Sequence, residues 1–216
     1  MRTRFDEQLA TLNRDLIQMG SICEEAIALA AKALIAGDSS LAHKIEPLSG
    51  ELDQMERSVE TLCLKMLLQQ QPVAGDLRHI SAALKMITDM ERIGDQAEDV
   101  GEIVQVMNHG IDYDFSLINE MAKATIYMVT GSVDAFVHQD VVQAQQVIDG
   151  DDAVDDYFRK VQDSLIDMIT RNPKDGRDAL DLLMIAKYFE RIGDHAVNVA
   201  EWVIFSVTGL HKGEPL

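Results

Sequence analysis

The sequence predicts an all-α protein made of two tandem three-helix bundles that are related by internal duplication. Three observations lead to this fold class. Helix-forming residues dominate the 216-residue chain, and only four residues are proline. No segment alternates between polar and β-branched residues for long enough to indicate a strand, so we expect no strands. Matching residues also recur about 100 positions apart along the chain.

Helix-breaking residues divide the first half into three long helices. The first helix ends at residues 37–39, the second ends at the loop 71–76, and the third ends at residues 108–110. Pro47 lies early in the second segment, where it indicates either a kink or a later helix start, because proline lacks the amide donor of a helix interior.

The second half repeats this order, with helix ends at residues 138–140 and 172–176. Asp53 aligns with Asp155 at an offset of 102 residues, and Glu91 aligns with Glu190 at an offset of 99, so the second copy has lost three residues at its second loop. We therefore predict a first repeat over residues 1–108 and a second over residues 109–216. Short loops make neighbouring helices antiparallel, and each repeat becomes a three-helix bundle.

The composition excludes several classes of function. The chain carries 19 Lys and Arg against 37 Asp and Glu, a formal net charge of -18, which repels nucleic acids and anionic lipids. No apolar run approaches the roughly 18 residues of a membrane span, and no signal-peptide core follows the start, so we expect a cytoplasmic protein. Cys23 and Cys63 lie in helical segments without a C-x-x-C motif, which favours reduced core residues.

Acidic residues form one stripe on the third helix, nearly opposite its predicted core stripe, and a similar stripe on the sixth helix. Like charges one turn apart destabilise a helix by roughly 0.2–0.5 kcal/mol per pair, and a bound cation would reverse the sign of that energy. We therefore expect the stripes to face outward or towards a partner. Their members are Glu91, Asp95, Glu98 and Glu102 in the first copy and Glu190, Asp194 and Glu201 in the second.

Each second helix offers carboxylates that face these stripes. Asp53 lies 19 residues before Pro72 and Glu91 lies 19 residues after it, so an antiparallel hairpin places them at one height. Carboxylate clusters suit hard cations such as Mg²⁺, Mn²⁺ or iron, and also Zn²⁺. A solvated acidic face is the alternative interpretation. The candidate metal ligands are Asp53, Glu56, Glu91, Asp95, Asp151, Asp155, Glu190 and Asp194.

Nothing in the sequence indicates catalysis or an organic cofactor. No Ser or Cys lies in an elbow-like turn beside a histidine, and no glycine-rich phosphate-binding loop occurs. His195 follows Asp194 directly, so it is either a peripheral metal ligand or an ordinary histidine on a helix surface.

Two copies of the segment Glu-Arg-Ile-Gly-Asp, at residues 91–95 and 190–194, carry a specific resemblance. Together with the loop that leads into the third helix at residues 71–78, the tandem layout and the length, they make the chain similar to the PhoU family of phosphate-uptake regulators. The resemblance covers essentially the whole chain.

This resemblance implies a non-enzymatic regulator that represses phosphate-starvation signalling and limits uptake. The implied partners are the ATPase subunit of the phosphate ABC transporter and the phosphate-sensing histidine kinase, so the only implied membrane association is peripheral, through that complex. The family also implies a homodimer, and metal ions or multinuclear clusters on acidic motifs, with iron or zinc as the leading candidates.

The two copies differ at one residue of the implied metal motif. Asp151 and Asp155 match the motif on the second helix of the second copy, whereas the first copy has Ser49 followed by Asp53. The first site is therefore expected to bind metal more weakly, or to recruit Glu56.

Two other functions stay open at the level of sequence. One is a carboxylate-bridged metal store or oxidase, although such bundles usually carry Glu-x-x-His pairs and neither motif here has that histidine. The other is a structural adaptor whose acidity serves solubility. Gly94 and Gly193, in mid-helix beside the carboxylates, indicate either room for an ion or tight helix packing.

Overall fold

The computed structural model of the chain describes residues 2–70 and 72–215, and Gln71 of the predicted loop lies outside the described residues. Within these ranges the six predicted long helices are confirmed, and one short α-helix and one 3-10 turn (Pro173–Asp175) are added. The helices are α1 (Arg2–Ala36), α2 (Ser39–Ala42), α3 (Ile45–Gln70), α4 (Ala74–Val106), α5 (Ser116–His138), α6 (Val141–Arg171) and α7 (Gly176–Thr208).

Local side-chain chemistry sets several helix starts. Asp38 and Asp140 occupy equivalent N-cap positions, where their carboxylates accept backbone N–H groups of α2 and α6 that would otherwise lack a partner. The short helix α2 separates the first two long helices, so α3 begins only at Ile45. Pro47 therefore lies in the first turn of α3, where proline is tolerated, and the interpretation as a later helix start is correct.

The expectation of no strands is wrong at the carboxyl end of the chain. Strands β1 (Leu210–His211) and β2 (Glu214–Pro215) pair in an antiparallel hairpin. Lys212 and Gly213 connect them with positive φ angles of 51° and 82°, which suits a tight turn. Two-residue strands are too short to show an alternating pattern, so this sequence pattern could not reveal them.

The two bundles share one continuous core. Helix α1 packs on α3 and α4, α5 packs on α6 and α7, and the two halves join through the α1–α5 and α4–α7 contacts. Ile80 and Ile87 in the amino-terminal half of α4 are buried, and α4 also packs on α7 of the other bundle. Cys23 and Cys63 are buried free thiols, as expected.

Helices α4 and α7 run antiparallel to each other. The Asn198 amide near the carboxyl half of α7 donates to Asp89 in the amino-terminal half of α4 at 3.2 Å, and the Asn108 amide just after α4 donates to Asp178 near the start of α7 at 3.2 Å. The α3–α4 and α6–α7 loops therefore lie at opposite ends of this helix pair. No described helix combines the length and apolar character that crossing a membrane requires.

Candidate metal-binding acidic clusters

The α3–α4 hairpin brings three of the candidate ligands together. One carboxylate oxygen each from Asp53, Glu91 and Asp95 lies within 4.8 Å of the other two, and we call these residues the first acidic cluster. The equal distances of Asp53 and Glu91 from Pro72 thus correspond to equal heights in the hairpin. Among the described residues, this is the group of His, Cys, Asp and Glu side chains that is close enough to hold one ion.

The first acidic cluster is electrostatically strained. Partial burial raises the pKa of Glu91, the negative charges of Asp95, Glu56 and Asp53 raise it further, and Arg92 offsets part of the effect. A cation placed among these oxygens would relieve both the repulsion and the incomplete solvation of Glu91.

Two neighbouring residues complete the surroundings of this cluster. The Ser49 hydroxyl donates to Oδ1 of Asp95 at 3.4 Å, so a neutral donor stands where the second copy has Asp151. Glu56 lies close enough to affect Glu91 but accepts the Thr88 hydroxyl at 3.0 Å. Glu56 would therefore have to give up or share this hydrogen bond to become a ligand.

The α6–α7 hairpin places Asp151 close enough to Asp155, Glu190 and Asp194 for their charges to act on it, and we call these four residues the second acidic cluster. Among the described residues they do not bring three oxygens within 4.8 Å of one another, unlike the first acidic cluster. Burial raises the pKa of Asp151 from 3.8 to about 6, and the charges of Asp194, Asp155 and Glu190 add to the rise. Its Oδ1 atom is buried and has no hydrogen-bond partner among the described residues. A buried carboxylate oxygen without a donor fits a site that is completed by a cation.

A lysine distinguishes the second acidic cluster from the first. Lys187 Nζ contacts Glu190 Oε2 at 2.5 Å and lies 5.6 Å from the centre of the Phe158 ring. In the first cluster, Asp53 has only a 4.0 Å contact with Arg57, whose side chain is 77% exposed, and such a pair contributes little. The second cluster therefore has a lysine in direct contact with one of its carboxylates, whereas in the first cluster Arg57 and Arg92 act at longer range.

The two mid-helix glycines allow close packing of each hairpin. A Cβ atom on Gly94 would lie 2.5 Å from Leu52 Cδ1, so the fully buried Leu52 side chain would have to shift within the core. A Cβ atom on Gly193 would lie 3.1 Å from Asp151 Oδ1 and 3.4 Å from Val154. Gly94 thus serves tight helix packing, while Gly193 also leaves room for the Asp151 carboxylate.

His195 does not take part in the second acidic cluster in this structure. Its Nδ1 atom contacts Asp89 Oδ1 at 2.8 Å across the α4–α7 interface, and Asn198 binds the same oxygen at 3.2 Å. The His195 and Asp89 side chains are only 14% and 16% exposed. This link between the bundles was not predicted from the sequence, although the spacing of His195 and Asn198 by three residues indicated a shared helix face.

Comparison with known proteins gives consistent results. A family model described as PhoU domain matches residues 16–104 and 118–203, segments that contain both acidic clusters. A phosphate-specific transport system accessory protein PhoU homolog from Clostridium acetobutylicum is 31% identical over 210 residues, covering 96% of each chain. The homolog of the same description from Pseudomonas aeruginosa is 32% identical over 208 residues, covering 95% of this chain and 86% of its own.

Solved structures show the same fold. The crystal structure of PhoU from Pseudomonas aeruginosa matches with a TM-score of 0.90 and 31% identity, over 95% of this chain and 100% of that chain. The phosphate transport system regulatory protein PhoU from Streptococcus pneumoniae matches with a TM-score of 0.88 and 22% identity, over 96% of this chain and 98% of that chain, which supports the fold alone.

Proposed function

Since the chain belongs to the PhoU family, we propose that it is a regulatory accessory protein of phosphate transport and not an enzyme. The observation that carries this proposal is the PhoU domain match in both halves of the chain. Relatives that span almost the whole chain are described as accessory proteins of a phosphate-specific transport system. The assignment of the repeats to residues 1–108 and 109–216 is part of the proposal.

We propose that the protein acts by docking. Its partners are the ATPase subunit of the phosphate ABC transporter and the phosphate-sensing histidine kinase, which places it in the cytoplasm at the membrane complex. Exposed apolar side chains lie near the ends of both hairpins, where they support protein contacts. They include Leu64, Leu68 and Leu77 on the α3–α4 hairpin and Ile166, Leu180 and Met184 on the α6–α7 hairpin.

We further propose that both acidic clusters hold metal ions. Three converging oxygens in the first acidic cluster and the partnerless Asp151 oxygen in the second support this role. Glu56 is the additional ligand of the first cluster in this scheme. A bound cation supplies positive charge, which holds the two helices of a hairpin at fixed spacing and changes the charge of the docking face. Carboxylate ligands favour Mg²⁺, Mn²⁺ or iron, and Zn²⁺ also fits, in mononuclear or multinuclear form.

Complementation tests the regulatory role. In a strain that lacks the gene, a phosphate-starvation reporter should be active even at high phosphate, and the wild-type chain should repress it. A variant with Glu91, Asp95, Glu190 and Asp194 all changed to Ala should fail to repress and should lose the ATPase subunit and the kinase in pull-down assays. Retention of both partners by this variant would remove the carboxylates from the mechanism.

A matched control variant distinguishes an effect of the two acidic clusters from an effect of the overall negative charge. The control carries four alanines at exposed acidic residues outside both clusters, so its net charge equals that of the test variant. It should repress the reporter like the wild type, and failure to do so would assign the effect to charge alone. The four positions are Glu25, Asp112, Asp163 and Asp167.

The first acidic cluster also supports a second candidate function, a carboxylate-bridged metal store or oxidase. Equilibrium dialysis followed by elemental analysis measures whether metal binds stoichiometrically, which a purely structural adaptor would not show. Oxygen consumption with ferrous iron then separates a regulator from an oxidase, and we expect none. Sedimentation analysis tests the proposed homodimer.

A further inference from the structure

An apolar groove runs between α1 and α5, outside both acidic clusters. Its volume is about 320 Å³, and its walls include Ala28, Ala31 and Ile35 of α1 and Ala122 and Ile126 of α5. Ile35 is 46% exposed although it is a large aliphatic residue. The groove therefore presents a mainly apolar surface to solvent, with Asn119 and two lysines among its lining.

Close packing of α1 against α5 near Gly20 confines the groove to the other half of this helix pair. A Cβ atom on Gly20 would lie 3.1 Å from Val133, so α1 and α5 approach closely there. The groove occupies the other half of the helix pair, from Ala28 to Ala36 on α1, which is about two helical turns or roughly 12 Å. This length accommodates about two turns of another helix.

The charge of the groove is opposite to that of the molecule. The charged residues among its described lining are Lys32 and Lys123, although the whole chain has a net charge of -18. Glu24 on α1 contacts Thr130 on α5, and about two turns from this contact the antiparallel helices bring Lys32 and Lys123 to similar heights on opposite rims. Lys123 contacts Glu120 at 2.7 Å in an exposed pair that is weak enough to exchange.

We propose that this groove binds an amphipathic helix of a partner protein, with its apolar stripe in the groove and carboxylates on both flanks paired with Lys32 and Lys123. A helix in an apolar groove presents side chains at i, i+3 or i+4, and i+7, which matches the two-turn length. The two lysines select acidic flanks on both sides of the apolar stripe, and they therefore favour binding with that stripe facing into the groove. This surface is separate from the clusters of the proposed function and does not depend on them.

Fluorescence anisotropy with synthetic peptides tests the proposal. The probe is a labelled helix of about 15 residues with a leucine stripe at i, i+4 and i+7, flanked by Glu, and the comparison peptide carries Lys in place of Glu. We expect the full chain to bind the Glu-flanked peptide at least fivefold more tightly, despite the net negative charge of the protein. Higher salt should reduce this preference.

Variants connect the binding to the groove. Ala28→Trp fills the groove from an exposed position and should weaken the Glu-flanked peptide at least tenfold. Ala153→Trp, at an exposed position on α6, is the control and should bind like the wild type. The double change Lys32→Glu and Lys123→Glu should reverse the preference in favour of the Lys-flanked peptide.

Several results would overturn the proposal. One is the absence of saturable binding of the Glu-flanked peptide, and another is binding that Ala28→Trp and Ala153→Trp affect equally. If Ala28→Trp instead converts a dimer of the chain alone into a monomer, the occupant is a second copy of this chain. If the wild type binds phosphatidylglycerol vesicles and Ala28→Trp does not, the occupant is a lipid surface.

Discussion

Replacement of Asp151 by Asn should stabilise the metal-free protein near neutral pH. The change keeps the shape of the side chain but removes the charge from the buried oxygen that has no hydrogen-bond partner. It also supplies an amide donor for Asp155, Glu190 or Asp194. Most buried substitutions destabilise a protein, so a gain here would be diagnostic of a strained carboxylate.

The pKa of Asp151 sets the expected magnitude and pH dependence. A rise from 3.8 to about 6 corresponds to about 3 kcal/mol for a fully buried group, and solvent screening of this half-buried carboxyl reduces the expected effect to about 1 kcal/mol. A raised acid pKa means that the folded state holds the proton more tightly. The wild type therefore loses stability as the pH rises from about 4 to about 6, and the loss is complete above that range.

Urea denaturation in the presence of a chelator measures this effect. Asp151→Asn should exceed the wild type by about 1 kcal/mol at pH 7.5, and most of the difference should disappear at pH 4. Asp163→Asn, at an exposed position on the same helix, is the control and should match the wild type at both values. A variant that is less stable than the wild type at pH 7.5, or equally stabilised at both pH values, would refute the reasoning. In saturating Mn²⁺ the order of stability should reverse, so that the wild type becomes more stable than Asp151→Asn.

Three further predictions concern packing and metal. Gly94→Ala should lower the free energy of unfolding in urea by about 1 kcal/mol, because about 2 kcal/mol of overpacking against Leu52 exceeds about 1 kcal/mol of gained helix propensity. Gly193→Ala should be close to neutral. Equal stability of the two variants would contradict this reasoning. Changing all three carboxylates of the first acidic cluster to amides should halve the Mn²⁺ bound in equilibrium dialysis, and unchanged stoichiometry would exclude that cluster as a site. Lys187→Met frees Glu190 and should tighten Mn²⁺ binding to the second cluster in calorimetry, whereas unchanged affinity would show that the lysine does not compete with the ion.

Helix boundaries and hairpin register were accessible from the sequence because they depend on local chemistry. Pro72, the capping residue Asp140 and the repeated spacing of acids determine where each helix turns back. The distances of Asp53 and Glu91 from Pro72 then sufficed to place both at one height, since antiparallel helices rise by the same amount per residue. The proximity of Asp53 and Glu91 in the first acidic cluster was therefore predictable from the number of residues that separate each of them from Pro72.

Contacts between the bundles were not accessible in this way. The pairing of His195 with Asp89 depends on which faces of α4 and α7 meet, and helix periodicity defines a face without naming its partner. The engagement of Glu190 by Lys187 lies within one helix at a spacing of three residues, but many exposed pairs at that spacing form no stable contact. The missing carboxylate at Ser49 was visible in the sequence, whereas its hydrogen bond to Asp95 required the fold.

The antiparallel arrangement of α4 and α7 has a consequence for stoichiometry. The two hairpin ends are separated by about the length of α4, roughly 50 Å, so a partner domain of about 100 residues, roughly 35 Å across, cannot reach both at once. One chain can instead bridge two partner molecules, one at each end. Once one end of the chain is bound, its other end is held at high local concentration near a second partner molecule in the same assembly. Two weak contacts can therefore give a tight overall attachment.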